Sequence, residues 1–430
     1  MAGAVAGSGL AGAGLAGAAQ AASDSSETAE AAAILARYEA FGGKASGGTG
    51  ELACGAWLES ELAALGFATE RQVINAPYFE VTRADLVCGA TTASVIPQAI
   101  VAPTGPGGVT GPLVLAGSGN LKGAIALITL AHARWSTANH AAVRGPLAEA
   151  AAAGAKGAVL VTTGPTGLAV ALNARIDGLT PIPAAVLAPK DAAPFLAAAN
   201  RGEAATLTLD GRGGMRPSYN LIVRKGGGGG GRARALIVST PRSGWFGCVG
   251  ERGPGLAAWL MLARRFAAMP PPGVPLVFVC TSNHEYENAG SAAFIRGKAP
   301  APENTALWLH LGAGCAARDW HELGPTLQPL PSADPQRFLV ATPKALPLAR
   351  AAFAGQPGLE AAYATGPVGG GEVLEILSAG YGAAGHGEVA AIFGAHRFHH
   401  TTGDDARCAD PAHTALVASA SERLVRDLVR

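Results

Sequence analysis

Short, wholly apolar runs alternate with helix-like segments from residue 219 to the end of the chain. The apolar runs predict strands at 219–223, 234–240, 274–280, 305–311 and 389–393. Apolar residues at helical spacing predict helices at 254–269, 289–296, 343–354, 371–378 and 411–430. Strands that alternate with helices form largely parallel sheets that are covered on both faces. The predicted fold class is therefore α/β, with a mostly parallel mixed sheet flanked by helices.

Residues 95–213 are predicted to form a separate, β-rich unit, called the inserted unit below. Its predicted strands lie at 124–130, 158–161 and 181–187, and its predicted helices at 147–153 and 192–199, with Pro146 in the first helical position. Residues 23–94 and 214–430 are predicted to form one α/β domain that this unit interrupts. The first part of that domain contributes helices at 25–41 and 51–65 and strands at 69–74 and 79–87.

Composition excludes several classes of partner. The chain has 430 residues, is 49% hydrophobic and carries a formal charge of +1 without a basic stripe, so nucleic acid and anionic membrane surfaces are poor candidate partners. No stretch approaches the ~20 strongly apolar residues of a membrane span. Six cysteines lack C-x-x-C spacing, which argues against a structural zinc knuckle.

Residues 1–22 consist almost only of Ala, Gly, Val and Leu, and they end in a small-x-small pattern. Such a segment is typical of an export signal of the twin-arginine or Sec type. It predicts a periplasmic or extracellular protein. A charged n-region is missing, so a disordered Ala/Gly tail is the alternative.

Candidate chemical groups follow the predicted strands. His284, Glu285 and Glu287 come directly after the apolar run 274–280. Glu251, His310, the pair His386 and Glu388, and the group His399, His400, Asp404 and Asp405 lie near other predicted strand ends. Ligands of open α/β sheets collect at such ends. Histidine and carboxylate are the zinc ligands available where thiolates are absent, and a catalytic zinc keeps one position open for water.

The glycine-rich loop Gly226–Gly231 predicts a flexible hairpin linker. It lacks both G-x-G-x-x-G spacing and the Lys-Ser/Thr of a P-loop, so no nucleotide cofactor is expected. A serine hydrolase is unsupported because no G-x-S-x-G elbow occurs. Cys248 and Cys280 lie beside the predicted site, where buried hydrophobic roles are favoured and a Cys–His pair is the alternative.

These motifs resemble those of the secreted co-catalytic zinc aminopeptidases. The relatives of that family include glutamate carboxypeptidase-type enzymes, single-zinc glutaminyl cyclases and the catalytically inactive transferrin receptor. The family carries H-x-D after one strand, G-A-x-D-N-x-S-G, then E-E-x-G-x-x-G-S, N-x-D and a late H-T-x-x-D. The inserted unit resembles the protease-associated (PA) domain through residues 119–128, G-x-x-K-G-x-I-A-L-I. The resemblance covers most of the chain downstream of residue 22.

Part of the family's metal site is kept in this sequence. Glu251 occupies the position of the family's metal-bridging aspartate, and Glu285 occupies the position of the second glutamate of the E-E pair. His400 to Asp404 keeps the late H-T-x-x-D motif whole. The resemblance therefore implies one zinc ion held by Glu251, Glu285 and His400, with His310 as a further ligand or orienting group.

Other positions of that site are changed. Thr240 replaces the first histidine ligand, Arg242 replaces the aspartate two residues later, and His310 replaces the second aspartate ligand. The resulting positive charge of Arg242 disfavours a second dication. His284 stands where the family's general-base glutamate belongs, and an imidazole titrates in a useful range for that role.

The predicted function is that of an exported hydrolase acting on an amide bond of a peptide or amino-acid conjugate. The predicted catalytic residues are His284, Glu285 and Arg242. Candidate substrate-binding residues are Trp245, His386, Glu388 and Asp404. The first alternative is a catalytically inactive homologue that binds a ligand or protein. The second is a metal-free acid–base enzyme that uses Arg242, His284, Glu285 and His310 in the same cleft.

Overall fold

The computed structural model describes residues 10–226, 233–323, 326–366 and 369–429. The first nine residues of the predicted export segment and nearly all of the loop Gly226–Gly231 lie outside this range. Among the described residues, no helix combines the length and hydropathy that a membrane span requires.

The helices are α1 (Leu10–Glu39), α2 (Thr49–Ala64), α3 (Ala141–Ala152), α4 (Ala192–Arg201), α5 (Val249–Ala268), α6 (Ala289–Gly297), α7 (Leu346–Ala352), α8 (Glu372–Ser378) and α9 (Pro411–Leu428). The strands before residue 226 are β1 (Ala68–Cys88), β2 (Thr91–Pro97), β3 (Val109–Leu115), β4 (Ile125–Thr129), β5 (Gly157–Val161), β6 (Ala184–Leu187) and β7 (Ala204–Lys225). The later strands are β8 (Ala235–Pro241), β9 (Leu276–Thr281), β10 (Thr305–Leu311), β11 (Arg318–Leu323), β12 (Thr326–Ala333), β13 (Arg337–Ala341), β14 (Tyr363–Ala364) and β15 (Glu388–Gly394).

The later strands form a mostly parallel sheet in the order β7, β9, β8, β10, β15, β13, β14. Strands β9, β8, β10 and β15 are parallel, while β7 and β13 join antiparallel. Every residue of β8 and β9 is buried, because parallel strands are covered on both faces. The predicted α/β fold with a mostly parallel mixed sheet is confirmed.

Strands β1 and β7 connect the two parts of the chain. They pair antiparallel from Ala68 opposite Arg224 to Cys88 opposite Ala205, with one irregularity between Val81 and Arg83. At the far end of this pair, β1 continues through β2, β6, β5, β4 and β3 back to β7, so the pairings close into a ring. The strands predicted at 69–74 and 79–87 are therefore one strand. The resemblance of the inserted unit to the PA domain, and its limits at 95 and 213, stay predictions.

Two predicted helix starts were wrong. Pro146 lies inside α3, which begins at Ala141, and Pro254 lies inside α5, which begins at Val249. Proline is favoured at the first helical position, where its missing N–H costs nothing. A helix can keep a proline in its interior at a cost that tertiary contacts offset. The early start of α5 matters for the site, because it places Glu251 in the first turn of that helix.

Candidate active site

The carboxyl ends of β8, β9 and β10 meet at one edge of the sheet, because these three strands are parallel and adjacent. The segments that leave this edge contain most of the predicted site residues. Several residues there have left-handed backbone, namely Asn283, Glu287, Asn288 and His400 with φ of 58°, 50°, 60° and 58°. Non-glycine residues avoid this region unless the surroundings impose it, and such strain concentrates at functional sites.

Glu251 and Arg252 form an ion pair at the start of α5. Arg252 Nη2 lies 2.6 Å from Glu251 Oε1, and both side chains are fully buried. Burial raises the pKa of the Glu251 carboxyl, but the charge of the nearby Arg252 leads the effects that outweigh this and hold the pKa well below its ordinary value. Glu251 is therefore ionised at neutral pH.

Arg252 was missed by the sequence reasoning, which expected the fixed positive charge at Arg242. The signal was present, since Arg252 stands at the asparagine of the family's D-N pair. Arg242 instead lies in the core with its guanidinium 2.6 Å from Glu51 Oε1 and donates to the Cys280 carbonyl oxygen at 2.8 Å. The charge next to Glu251 belongs to Arg252.

Two adjacent histidines face Glu251. His400 Nδ1 lies 2.9 Å from the carbonyl oxygen of Ala171, and its Nε2 lies 3.2 Å from Glu251 Oε1. A carbonyl oxygen only accepts, so Nδ1 carries the proton. Nε2 is the ring nitrogen that faces the carboxylate.

His399 stacks on His400, with ring centroids 3.8 Å apart and an interplanar angle of 18°. Its Nδ1 lies 3.7 Å from Glu251 Oε1, and its Nε2 lies 3.4 Å from Ser136 Oγ. Burial and the neighbouring His400 hold the pKa of His399 well below its ordinary value, so this ring is neutral.

Glu251, His399 and His400 fit a metal ion. One ligand atom from each lies within 4.8 Å of the others. Glu251 Oε2 and His399 Nδ1 are buried without a hydrogen-bond partner, and a cation would satisfy both, together with His400 Nε2. One carboxylate and two neutral imidazoles suit zinc.

Glu285 is not part of this group. Its carboxylate accepts hydrogen bonds from the backbone N–H and hydroxyl of Ser46, both at 3.0 Å, and from Ser243 Oγ at 2.7 Å. These donors engage both of its oxygens. The structure therefore brings together two of the four predicted ligands, Glu251 and His400, and adds His399 to them.

A second carboxylate, Glu372, lies between His284 and His310. Glu372 Oε1 accepts from Thr281 Oγ1 at 2.7 Å and lies 3.6 Å from His284 Nδ1, while Oε2 lies 3.8 Å from His310 Nδ1. Burial raises the pKa of Glu372, but the two histidines outweigh it, so the pKa falls below its ordinary value. The sequence reasoning missed Glu372 because nothing marks one glutamate in a helical pattern as buried.

His310 is a neutral, fully enclosed side chain. Burial lowers its pKa to about 4 against the opposing charge of Glu372. Its Nδ1 lies 2.9 Å from Ser239 Oγ. The structure places His310 beside Glu372 and outside the Glu251–His399–His400 group.

A cavity of about 210 Å³ lies against some of these groups. His284, His310, Glu372 and His399 line it on one side. The other lining residues include Ser136 of the inserted unit, Phe338, Phe393 and several glycines. The cavity is thus a small pocket with convergent titratable groups, the usual arrangement of an active site.

The predicted substrate-binding residues lie away from this cavity. Glu388 begins β15, and β15 runs parallel to β10, so Glu388 and the preceding His386 lie at the opposite edge of the sheet. Trp245 donates from Nε1 to Asn173 Oδ1 at 2.9 Å and lines a different, mainly apolar pocket. Asp404 accepts from the N–H groups of Gly250 and Glu251, at 2.6 and 3.1 Å. Its role in the structure is to hold the start of α5.

His396, Asp404 and Cys408 form a second group with metal-ligand geometry. The oxygens of Asp404 are engaged by the start of α5 and by His396 Nε2 at 3.2 Å. Burial raises the pKa of the Cys408 thiol, which keeps it protonated. Burial likewise raises the pKa of Cys280, to about 12, and that of Cys248. These thiols behave as buried apolar groups.

Solved peptidase structures share this fold. A zinc aminopeptidase from Bacillus subtilis has a TM-score of 0.71 at 16% identity, covering 93% of this chain and 94% of that one. A Peptidase M28 precursor from Shewanella amazonensis has a TM-score of 0.69 at 18% identity, covering 95% and 97%. An aminopeptidase from an Aneurinibacillus species has a TM-score of 0.67 at 16% identity, covering 93% of each chain.

No protein-family model matches the chain, and no curated protein matches its sequence. At identities this low, the structural similarity establishes the architecture alone. The order of motifs predicted the same architecture. The chain therefore has the fold of the solved zinc aminopeptidase and Peptidase M28 structures.

Proposed function

We propose that this protein is an exported hydrolase that cleaves an amide bond of a peptide or amino-acid conjugate and uses one zinc ion. The observation that carries the proposal is the set of buried, unpartnered ligand atoms of Glu251 and His399 next to His400. The peptidase neighbours support the reaction class. The composition of residues 1–22 supports export.

Glu251, His399 and His400 would hold the ion. When bound, zinc supplies a Lewis acid that polarises a carbonyl group and lowers the pKa of water. Arg252, 2.6 Å from Glu251, already neutralises that carboxylate. A second dication close to this guanidinium would meet strong repulsion, which favours a single ion.

His284 is proposed to move the proton. Its Nδ1 lies 3.6 Å from Glu372 Oε1, just beyond hydrogen-bonding distance. A small shortening of this distance would let the Glu372 carboxylate accept a hydrogen bond from Nδ1–H. Such a contact places the basic lone pair on Nε2 and stabilises the imidazolium after proton uptake. His284 lines the cavity, so a substrate there lies within reach of its ring.

Zinc content per chain tests the ligand assignment. We expect about one equivalent in the purified protein, and loss of zinc in Glu251→Gln and His399→Gln because each removes a ligand. Glu285→Gln should keep the ion, since the Glu285 carboxylate is held by Ser46 and Ser243. The control is Glu388→Gln, at the opposite edge of the sheet. Retention of zinc in His399→Gln with its loss in Glu285→Gln would restore the ligand set predicted from sequence.

Hydrolysis of a panel of aminoacyl anilides and N-acyl amino acids tests the reaction class. We expect turnover that falls on chelation, returns with zinc and is reduced at least ~100-fold by His284→Ala, in line with the usual contribution of general-base catalysis. Turnover that persists in chelator would contradict the zinc proposal and support the alternative of a metal-free acid–base enzyme in the same cleft.

A ligand-binding protein without catalysis is the second candidate. The buried ion pair of Glu251 and Arg252 favours it, because an internal guanidinium already provides a cation beside the bridging carboxylate. Absence of both zinc and turnover, together with saturable binding of a peptide or amino-acid conjugate in the cavity, would establish this candidate in place of the hydrolase.

A further inference from the structure

Both candidate histidine ligands contact the inserted unit through the ring nitrogen that faces away from Glu251. His399 Nε2 lies 3.4 Å from Ser136 Oγ. The carbonyl oxygen of Ala171 lies 2.9 Å from His400 Nδ1, and the N–H of Ala171 donates to the carbonyl oxygen of His400 at 2.9 Å. The ring nitrogens that face away from Glu251 therefore have their partners in a different part of the chain from the ligands themselves.

The same two segments of the inserted unit are fixed to the main domain at other points. Arg134 Nη1 lies 2.6 Å from the buried Asp334 and donates to the carbonyl oxygen of Ala395 at 2.8 Å. The N–H of Ala174 donates to the Glu285 carbonyl oxygen at 3.1 Å. Ser136 is two residues from Arg134, so the Arg134–Asp334 ion pair anchors the same short segment that carries the Ser136 hydroxyl.

We propose that the inserted unit is a positioning partner of the metal centre, with Ser136 and Ala171 setting the tautomer and orientation of His399 and His400. This inference rests on the proposed zinc site. A ligating histidine usually donates its second ring N–H to an oxygen, which fixes the ring and keeps the ligating nitrogen unprotonated. Ser136 Oγ accepts Nε2–H of His399, and the lone pair of Nδ1 then faces Glu251. Docking of the inserted unit thereby governs the affinity of the centre for its metal.

Metal affinity of the full chain measures this role without any enzyme assay. Ser136→Ala removes the acceptor for His399 Nε2–H, and we expect the zinc dissociation constant to rise roughly 10- to 100-fold. Ser136→Thr keeps a hydroxyl and should retain most of the affinity. The control is Ser118→Ala, because the exposed Ser118 hydroxyl in the same unit bonds only to the Leu115 carbonyl oxygen. Competition with a chromophoric chelator gives the constants, and circular dichroism shows that each variant is folded.

A second pair of variants tests docking without touching the ligands or Ser136. Arg134→Gln breaks the ion pair with Asp334 and should weaken zinc binding in the same direction. Arg144→Gln removes an exposed arginine of the same unit and should leave the affinity unchanged. The absorption spectrum of the cobalt-substituted protein should shift in Ser136→Ala and stay unchanged in Ser118→Ala, because coordination geometry follows ring orientation.

The possible results separate the two proposals. If the wild-type chain binds no zinc, the proposed metal site is wrong. If the wild-type chain binds zinc and both Ser136→Ala and Arg134→Gln match it in affinity and cobalt spectrum, the metal site stands and the positioning role is overturned. Weaker binding in Ser136→Ala and Arg134→Gln, with normal binding in both controls, supports the inference.

Discussion

Buried charges at this site come in close pairs whose partners are distant or easily overlooked in the sequence. Arg252 pairs with the adjacent Glu251, and Arg242 pairs with Glu51, 191 positions earlier. Removing one partner of such a pair leaves an uncompensated buried charge, which costs several kcal/mol. Side-chain direction therefore decides which arginine places its charge at the Glu251–His399–His400 group: Arg252 faces Glu251, whereas Arg242 faces Glu51.

His310 should make stability depend on pH. Its pKa is about 4 in the folded chain, below the ordinary value near 6.5, so between these values the unfolded chain binds more protons. The free energy of unfolding should therefore fall as pH drops from about 6.5 towards about 4, by roughly 3 kcal/mol from this residue alone. We expect His310→Asn to flatten that dependence in urea unfolding of the metal-free protein.

The substitution His386→Asn is the control for loss of an imidazole, since His386 lies at the opposite edge of the sheet. Equal pH dependence in the wild type and in His310→Asn would contradict the assignment. The comparison uses metal-free protein because a bound ion adds a pH dependence of its own.

The sequence was informative about where site residues lie and less so about what they contact. Glu251, His284, His310 and His400 were all expected at strand ends, and the parallel sheet does bring those ends together. The partners of Glu285 were not predictable, because Ser46 lies 239 positions away. Chain spacing defines neighbours within an element, whereas hydrogen bonds across elements depend on the finished packing.

The first turn of α5 carries Glu251, so the way in which this helix begins determines where Glu251 lies. Asp404 accepts from the N–H groups of Gly250 and Glu251, so a residue from the late H-T-x-x-D motif caps a helix whose first turn lies 154 and 153 positions earlier. This contact satisfies two backbone N–H groups at the start of the helix that carries Glu251. An N-terminus for α5 at Val249 was unpredictable, because its cap comes from a distant segment.

Asp404→Ala should therefore lower both stability and metal affinity. Loss of a buried, charged cap predicts a decrease of about 2 kcal/mol in the free energy of unfolding. It should also weaken zinc binding, because Glu251 loses the support of its backbone. Urea unfolding and chelator competition measure the two effects on the same protein.

Asp410 offers a matched control for that variant. It caps α9 by accepting from the N–H of His413 at 2.9 Å, and it is not part of the Glu251–His399–His400 group. Asp410→Ala should lose about 1 kcal/mol of stability and keep its zinc affinity. Equal loss of zinc affinity in both variants would mean that general destabilisation explains the effect of Asp404.

At the level of the whole molecule, the pair of β1 and β7 is what the sequence least revealed. Both strands belong to the main sheet at one end and to the ring of the inserted unit at the other. Their middle parts are largely exposed and contain Pro77 and Pro217, so the apolar alternation that marks a strand is interrupted there. The later, fully buried strands were predictable, because a parallel strand that is covered by helices on both faces of the sheet needs a continuous apolar run.

This shared pair predicts that the two parts of the chain unfold together. Val159 is fully buried in β5 of the inserted unit, and Val417 is fully buried in α9 of the main domain. Either Val→Ala substitution should cost about 2 kcal/mol through a lost core contact. Because β1 and β7 run through both parts and the contacts of Arg134 and Ala171 join them, we expect each variant to shift one common transition. Fluorescence and far-ultraviolet circular dichroism should give coincident urea curves, and a separate early transition in Val159→Ala alone would show that the inserted unit unfolds independently.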